Sequence, residues 1–216
     1  MMTPVLSDVV VFDLDDTLYK EVDFVRSGFS AIASYVGKDG IAVELFERWK
    51  RGQNALQWLI DVTDIECEIP DLLHVYRTHL PSIKLESSVE DMLDKLKQEG
   101  KVLGMITDGR SITQRHKIEA LGLYRWITDD NLVISEEFGS EKPDMANYEY
   151  FMSRYPVANY FYVGDNTAKD FVSPNILGWH TICIKDDGRN IHSQTFDVDI
   201  DYMPQRVFND ISEIII

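Results

Sequence analysis

Short runs of apolar residues, each followed closely by a polar residue, recur along the chain. Four runs stand out: 9–12 (VVVF), 102–106 (VLGMI), 160–163 (YFYV) and 181–184 (TICI). A continuous apolar run of this length indicates a strand that is buried on both faces, as in a parallel sheet. Helical patterns lie between the runs, beginning at Ser88, at Ser111, and with Pro143 in a first turn that continues to about Tyr155. Strands that alternate with helices predict an α/β fold with a doubly wound parallel sheet of the Rossmann-like type.

The segment 19–85 has a different pattern. Its apolar residues recur at helical spacing, as in Val22, Val25 and Phe29, and it contains no strand pattern. About 65 residues are too many for an ordinary connection between two elements. We therefore predict an α-helical cap domain over 19–85, inserted after the first strand of a core domain that comprises 1–18 and 86–216. A last helix is expected over 208–216.

Polar residues follow three of the predicted strands: Asp13, Thr107 and Asp165. Because ligands bind beyond the carboxyl ends of parallel strands, these side chains are expected to converge on one edge of the sheet. Asp13 and Asp15 are two residues apart in an extended segment, so they share a face. Two carboxylates this close repel each other unless a cation intervenes. Mg²⁺ suits a site that is built from a few carboxylates and a substrate phosphate.

The composition narrows the class of partner. The chain has 37 Asp and Glu against 21 Lys and Arg, which gives a formal net charge of -16. Such a charge disfavours a nucleic-acid polymer or an anionic membrane as partner. Cys67 and Cys183 lie far apart, which predicts reduced thiols rather than a disulfide or a zinc site. The N-terminal apolar stretch is too short for a membrane span and lacks the features of a signal peptide, so a cytoplasmic protein is expected.

Four motifs occur in the order and context of one known family: DLDDTL at 13–18, TDG at 107–109, EKP at 141–143 and GDNTAKD at 164–170. On these motifs the chain resembles the haloacid dehalogenase-like (HAD) hydrolase superfamily, specifically its phosphatases with a helical cap after the first strand. The resemblance covers nearly the whole chain. Glu141 stands where Gly or Arg is usual, and Thr167 stands where Pro often follows Gly-Asp-Asn. Neither departure affects a group with a chemical role.

The resemblance implies a Mg²⁺-dependent hydrolysis of a phosphate monoester. Asp13 would attack phosphorus to give an aspartyl-phosphate. Asp15 would act as general acid and then as general base. The metal would be held by Asp13, by the backbone carbonyl of Asp15 and by Asp165.

The remaining motif residues are expected to bind the phosphoryl group. Thr107, with the backbone N–H groups of Asp108 and Gly109, would contact its oxygens at a helix N-terminus. Lys142 would add positive charge to the transition state, so it counts as both catalytic and phosphate-binding. Asp170 and Asn166 would support the metal and the lysine from outside the reacting groups.

Other activities of the superfamily stay open from the sequence alone. A dehalogenase needs no metal and lacks an acid at the position of Asp15, so Asp15 argues against it. A phosphomutase would retain Asp15, and a ligand-binding protein without catalysis would have lost a nucleophile or metal ligand, none of which is lost here. The expected substrate is a small phosphorylated metabolite, such as a sugar phosphate or a nucleotide. Arg110, directly after the TDG motif, is a further candidate for substrate binding.

Overall fold

The computed structural model describes residues 7–216; residues 1–6, on which the expectation about a signal peptide partly depends, lie outside the described residues. Within that range the strands form one sheet in the order β3-β2-β1-β4-β5-β6. The strands are β1 (Ser7–Phe12), β2 (Val102–Thr107), β3 (Leu132–Ile134), β4 (Ala158–Gly164), β5 (His180–Ile184) and β6 (Arg206–Phe208). Every neighbouring pair is parallel. The predicted α/β class with a doubly wound parallel sheet is confirmed.

Helices cover both faces of the sheet and follow its first strand. They are α1 (Glu21–Tyr35), α2 (Ala42–Lys50), α3 (Ala55–Val62), α4 (Ile69–Thr78), α5 (Ser87–Gln98), α6 (Ser111–Ala120), α7 (Ser135–Phe138), α8 (Ala146–Arg154) and α9 (Val172–Ile176). The first four follow β1 and share their own cluster of buried apolar side chains, which includes Phe29, Leu45 and Leu72. The helical pattern read in 19–85 therefore corresponds to real helices, while the division into two domains stays a prediction.

The alternation of side chains along β1 explains its continuous apolar pattern. Val10 and Phe12 pack in one cluster with residues of α5 and α6. Val9 and Val11 pack in a second cluster on the opposite face, with Phe151 of α8. Because β1 lies between β2 and β4 with helices on both sides, all of these side chains are buried. The strand is thus central, and its carboxyl end opens at the middle of the sheet edge.

The prediction that Pro143 occupies the first turn of a helix is wrong. The helix begins at Ala146, and residues 142–145 form a turn before it. An Asx turn precedes the helix instead, in which the Asp144 carboxylate accepts a hydrogen bond of 2.9 Å from the Ala146 N–H. Asp144 therefore satisfies a backbone donor at the helix start, and the chain before it is free to form the turn that carries Lys142.

The predicted last helix over 208–216 is also wrong. Residues 206–208 form the edge strand β6, which pairs with β5, and a single 3-10 turn follows at Ile211–Glu213. The sheet offers the unpaired edge of β5, and the Lys185 N–H extends this pairing by donating to the Phe208 carbonyl at 2.8 Å. The apolar residues of the tail are still used for packing, because Ile211 and Ile214 are buried against the core.

Two strands of three residues each, β3 and β6, have no counterpart in the four predicted runs. Both lie at the outer edges of the sheet, where a short segment needs only one partner. None of the helices in the described part of the chain has the length and apolarity needed to cross a membrane.

Candidate active site

The carboxyl ends of β1, β2 and β4 meet at one edge of the sheet. Phe12 is paired with Met105 of β2 and with Val163 of β4, so the residues that follow these strands are neighbours. The Asp13 N–H continues the ladder by donating to the Val163 carbonyl at 2.8 Å. Asp13, Thr107 and Asp165 therefore converge as the strand pattern predicts, and all three are buried.

A buried lysine lies against the predicted nucleophile. Lys142 Nζ donates to Asp13 Oδ1 at 2.7 Å, to Asp170 Oδ1 at 2.8 Å and to the Tyr162 hydroxyl at 3.2 Å. The second oxygen of Asp170 accepts the backbone N–H groups of Asp165 and Asn166 at 3.2 and 2.8 Å. Asp170 is thus bound through both oxygens, and it fixes Lys142 beside Asp13.

Three buried carboxylates, those of Asp13, Asp165 and Asp170, offer oxygens that lie within 4.8 Å of one another. Burial raises the pKa of Asp13 to about 7, although Lys142 opposes the rise. Burial, followed by the charges of Asp170 and Asp13, raises the pKa of Asp165 to about 9. Carboxylates that are crowded and desolvated in this way are stabilised by a cation, and oxygen donors are the ligands that hard divalent metals prefer. The donor set therefore fits a divalent metal ion.

The Asp15 carboxylate turns to a different set of partners. Its Oδ1 accepts from Lys117 Nζ at 2.7 Å and from the Tyr19 hydroxyl, and its Oδ2 accepts from Gln114 Nε2 at 2.9 Å. Burial opposes ionisation of Asp15, but Lys117 and the hydrogen bonds outweigh it and hold the pKa of Asp15 below its usual value. Asp15 nevertheless lines the same cavity as Asp13, so the two carboxylates face one space.

The TDG motif forms the turn between β2 and α6. Thr107 is buried, and Gln114 Nε2 donates to its Oγ1 at 2.5 Å. The Asp108 carboxylate accepts from the Lys142 backbone N–H at 3.0 Å and from Lys169 Nζ at 2.6 Å. The Asp108 carboxylate thus links the turn that carries Lys142 to the loop that carries Lys169.

The remaining residues of this turn, Gly109 and Arg110, contact other parts of the protein. The Gly109 N–H donates to Ser135 Oγ at 2.9 Å, so this predicted phosphate donor already has a protein partner. The φ of Gly109 is 145°, and a Cβ atom there would lie 3.2 Å from the Gln114 side chain. Arg110 is exposed and lies 3.8 Å from Glu136, away from the cavity that the aspartates line.

The loop after β5 closes one side of the site. Asn190 Nδ2 donates to Asp165 Oδ2 at 2.9 Å, and Asn190 Oδ1 accepts from Lys20 Nζ at 2.7 Å. Asp16 has a φ of 57° and accepts the backbone N–H groups of Glu21 and Ile191 at 2.9 and 2.8 Å. The start of α1 and the loop after β5 are therefore joined through Asp16.

The aspartates line a cavity of about 130 Å³, and four further side chains that the sequence reasoning missed lie at it or behind it. Glu21, Lys169 and His192 line it directly, and Lys117 reaches Asp15 from α6. Lys169 lies within the GDNTAKD motif and could have been found there. Glu21 and His192 are brought in by the loop contacts at Asp16, for which the sequence carries no local signal. A larger cavity of about 620 Å³ lies beside segments 17–20 and 82–89, and its lining includes none of the predicted catalytic residues.

A doubly wound parallel sheet with buried aspartates and a buried lysine at its carboxyl edge defines an enzyme site of the α/β class. The chain belongs to the haloacid dehalogenase-like hydrolase family, whose sequence profile matches residues 10–184. The predicted family is therefore confirmed, and with the phosphatase relatives described next the predicted hydrolytic enzyme of phosphatase type is confirmed as well.

Individual proteins show how far the likeness extends. The chain is 27% identical over 192 residues to the glyceraldehyde 3-phosphate phosphatase of Methanocaldococcus jannaschii, covering 81% of this chain and 83% of that protein. It is also 27% identical to the glyceraldehyde 3-phosphate phosphatase of Methanothermobacter thermautotrophicus, covering 67% of this chain and 70% of that one. Among solved structures, a predicted phosphoglycolate phosphatase from Haemophilus somnus 129PT matches with a TM-score of 0.61 at 15% identity, covering 97% of each chain. This last likeness shows the fold.

Proposed function

We propose that this protein is a Mg²⁺-dependent phosphatase that hydrolyses the phosphate monoester of a small sugar phosphate through an aspartyl-phosphate at Asp13. The observation that carries the proposal is the position of Asp13. Its carboxylate lies at the end of the central strand, 2.7 Å from the buried ammonium of Lys142, in a cavity that it shares with Asp15 and Thr107. The proposed nucleophile and the proposed acid–base group thus line one small space, and the Lys142 ammonium is hydrogen-bonded to the first of them.

In the first step Asp13 attacks the phosphorus in line with the leaving oxygen. An O–P bond forms to Asp13 as the O–P bond to the leaving alcohol breaks, and Asp15 gives its proton to the departing oxygen. In the second step Asp15 takes a proton from water as the water oxygen attacks the same phosphorus, which releases phosphate and restores the Asp13 carboxylate. In this proposal Lys142 and the Thr107 hydroxyl stabilise the charge that develops on the phosphoryl oxygens.

The metal-binding set of the proposal is Asp13, Asp165 and the backbone carbonyl of Asp15. A bound Mg²⁺ supplies positive charge that offsets the repulsion between these carboxylates and the phosphate dianion. Asp170 supports the set without joining it, because its oxygens are occupied by Lys142 and by two backbone N–H groups. Asn166 lies beside them and donates its N–H to Asp170.

The proposed substrate is of the triose phosphate type. Two relatives that match across two thirds or more of this chain are named for glyceraldehyde 3-phosphate. The cavity of about 130 Å³ suits a phosphate with a short leaving group better than a nucleotide. The net charge of -16 does not oppose such a substrate, since Lys142 and the metal supply positive charge inside the site.

The test is the release of phosphate from a panel of esters that includes glyceraldehyde 3-phosphate, phosphoglycolate, a nucleoside monophosphate and 4-nitrophenyl phosphate. We expect the triose phosphate to give the highest kcat/KM, and we expect EDTA to remove activity and Mg²⁺ to restore it. Asp13→Asn should abolish turnover while the circular dichroism spectrum is unchanged. Asp91→Asn, an exposed carboxylate on α5, is the matched control and should retain full activity.

Full activity of Asp13→Asn would refute the aspartyl-phosphate mechanism, and metal-independent turnover would refute the role of Mg²⁺. A nucleotide as the best ester would refute the triose phosphate class while leaving the mechanism in place.

A further inference from the structure

Lys117 on α6 contacts Asp15 and has no part in the mechanism above. Its side chain is only 3% exposed, and its Nζ lies 2.7 Å from Asp15 Oδ1 and 3.6 Å from Glu21 Oε1. The same ammonium lies 4.4 Å from the centre of the Phe24 ring. Asp15 belongs to the loop after β1, whereas Glu21 and Phe24 belong to α1. One lysine of the core helix therefore contacts both the predicted acid–base group and the helix that follows it.

Gln114 lies one turn before Lys117, on the same face of α6. Its Nε2 donates to Asp15 Oδ2 at 2.9 Å and to Thr107 Oγ1 at 2.5 Å. An amide nitrogen carries two hydrogens, so one group can donate to both oxygens at once. The orientation of Asp15 is thereby tied to Thr107, which is expected to contact the phosphoryl group.

Three donors bind the Asp15 carboxylate, Lys117 and Tyr19 on Oδ1 and Gln114 on Oδ2, and of its roughly four acceptor positions one on Oδ2 is left for the proton. A carboxylate that is bound through both oxygens has one orientation. General acid catalysis needs such a fixed orientation, because the acid must lie within hydrogen-bonding distance of the leaving oxygen.

Stability alone does not account for a lysine in this place. A buried ammonium loses its hydration, and its attraction to a carboxylate often does no more than offset that loss. An apolar side chain of similar length would fill the same space beside Phe24 without this cost. The observed lysine instead binds one oxygen of Asp15 while Gln114, on the same helix, binds the other.

We propose that Lys117 and Gln114 are positioning residues for the acid–base step, which fix the carboxyl group of Asp15 toward the leaving oxygen. This inference rests on the proposed role of Asp15. Lys117 and Gln114 act through Asp15 and exchange no proton with the substrate.

The test compares two leaving groups. An alkoxide needs a proton as it departs, whereas 4-nitrophenolate departs readily without one. The value of kcat/KM reports the steps up to phosphorylation of Asp13, so the later attack of water does not enter it. We expect Lys117→Met to lower kcat/KM for glyceraldehyde 3-phosphate by about 100-fold and for 4-nitrophenyl phosphate by less than about fivefold. Lys117→Arg should recover part of the loss.

Arg115→Met is the matched control on the same helix. Arg115 pairs with Asp129 and Glu137 at the surface, so its loss should leave both kcat/KM values unchanged. Gln114→Leu leaves no buried charge unpaired, so it is the variant to use if Lys117→Met does not fold. It too should lower kcat/KM for glyceraldehyde 3-phosphate more than kcat/KM for 4-nitrophenyl phosphate. Equal losses for the two esters in a folded variant of Lys117 or Gln114, or no loss, would overturn the proposal.

Asp15→Asn separates this proposal from the one on which it rests. If Asp15→Asn leaves kcat/KM for 4-nitrophenyl phosphate nearly unchanged and Lys117→Met lowers it, the positioning role alone is refuted. If Asp15→Asn lowers kcat/KM equally for both esters, the acid role of Asp15 is refuted, and the positioning role is refuted with it.

Discussion

The replacement Lys142→Met gives a direct test of how the site is held together. Lys142 is 4% exposed, and its ammonium lies 2.7 Å from Asp13 and 2.8 Å from Asp170. Without it, the carboxylates of Asp13, Asp165 and Asp170 are crowded in a buried site with no direct lysine partner. The metal-free protein should therefore lose stability, although methionine fills most of the space.

The size of the loss follows from the burial of the pair. Removing one partner of a buried ion pair costs about 3–5 kcal/mol in the free energy of unfolding. For a chain of this length each kcal/mol corresponds to about 2–4 °C, so Tm should fall by roughly 6–20 °C. The partly exposed comparison is Lys169→Met; the Lys169 ammonium lies 2.6 Å from Asp108, but its side chain is 34% exposed. That pair should contribute less than about 1 kcal/mol.

The assay is urea denaturation followed by tryptophan fluorescence, in EDTA and again in Mg²⁺. We expect the two lysine variants to differ clearly in EDTA, and we expect Mg²⁺ to narrow the difference because it neutralises the same carboxylates. Adding Asp13→Asn to Lys142→Met should recover part of the lost stability, since one charge fewer is left unpaired. If Lys142→Met were no less stable than Lys169→Met in EDTA, the ionic account of this site would be refuted.

Three further predictions concern stability. Gly104→Ala should lower the free energy of unfolding by about 1–3 kcal/mol, because the added Cβ atom would lie 2.4 Å from the Phe151 ring. Phe151→Leu in the same chain should reduce this penalty. If urea denaturation shows that the losses of the two single variants add up in the double variant, the explanation is contradicted. The metal-free protein should lose stability as pH rises from about 5 to 8, because burial raises the pKa of Asp165 to about 9 and the folded state keeps a proton that the unfolded chain releases near pH 4. Saturating Mg²⁺ should flatten that slope, and a slope unchanged by Mg²⁺ would refute the assignment. Burial opposes ionisation of Asp8, but the hydrogen bond from Lys101 helps hold the pKa of Asp8 below its usual value, so Asp8→Asn should cost up to about 1 kcal/mol at pH 7. That difference should shrink as pH falls below about 4, because the unfolded chain is protonated there and the contribution of the ionised Asp8 is lost as pH falls through its lower folded-state pKa; a difference as large as at pH 7 would have another cause.

The central elements could be predicted from the sequence because their local pattern and their tertiary surroundings agree. β1 is apolar on both faces and ends at Asp13, and the structure buries both faces and opens the strand at Asp13. The helix at Ser111 begins where the pattern places it. The edge strand β6 could not be predicted in this way, because three residues carry little pattern and the strand forms by pairing with β5.

The candidate site likewise has residues that could be predicted from the sequence and residues that could not. Asp13, Thr107 and Asp165 each follow an apolar run, so their convergence follows from the rule that parallel strands end at one edge. The partners of Asp15 follow no such rule. Lys117 lies 102 positions from Asp15 along the chain, and the two meet only when α6 packs beside the loop after β1.

The sequence by itself thus determined the class of fold, the edge of the sheet that carries the site, and the family. Periodicity and strand ends are local properties, so both can be recognised from consecutive residues. Only the tertiary structure decided which oxygen of each carboxylate is bound and by which donor. The EKP motif marks Lys142 as a cation of the site and no motif marks Lys117, and only packing shows that Lys142 binds Asp13 and Lys117 binds Asp15. The physical reason is that a charge loses its hydration only on burial, so the partner that replaces water is fixed when the elements pack.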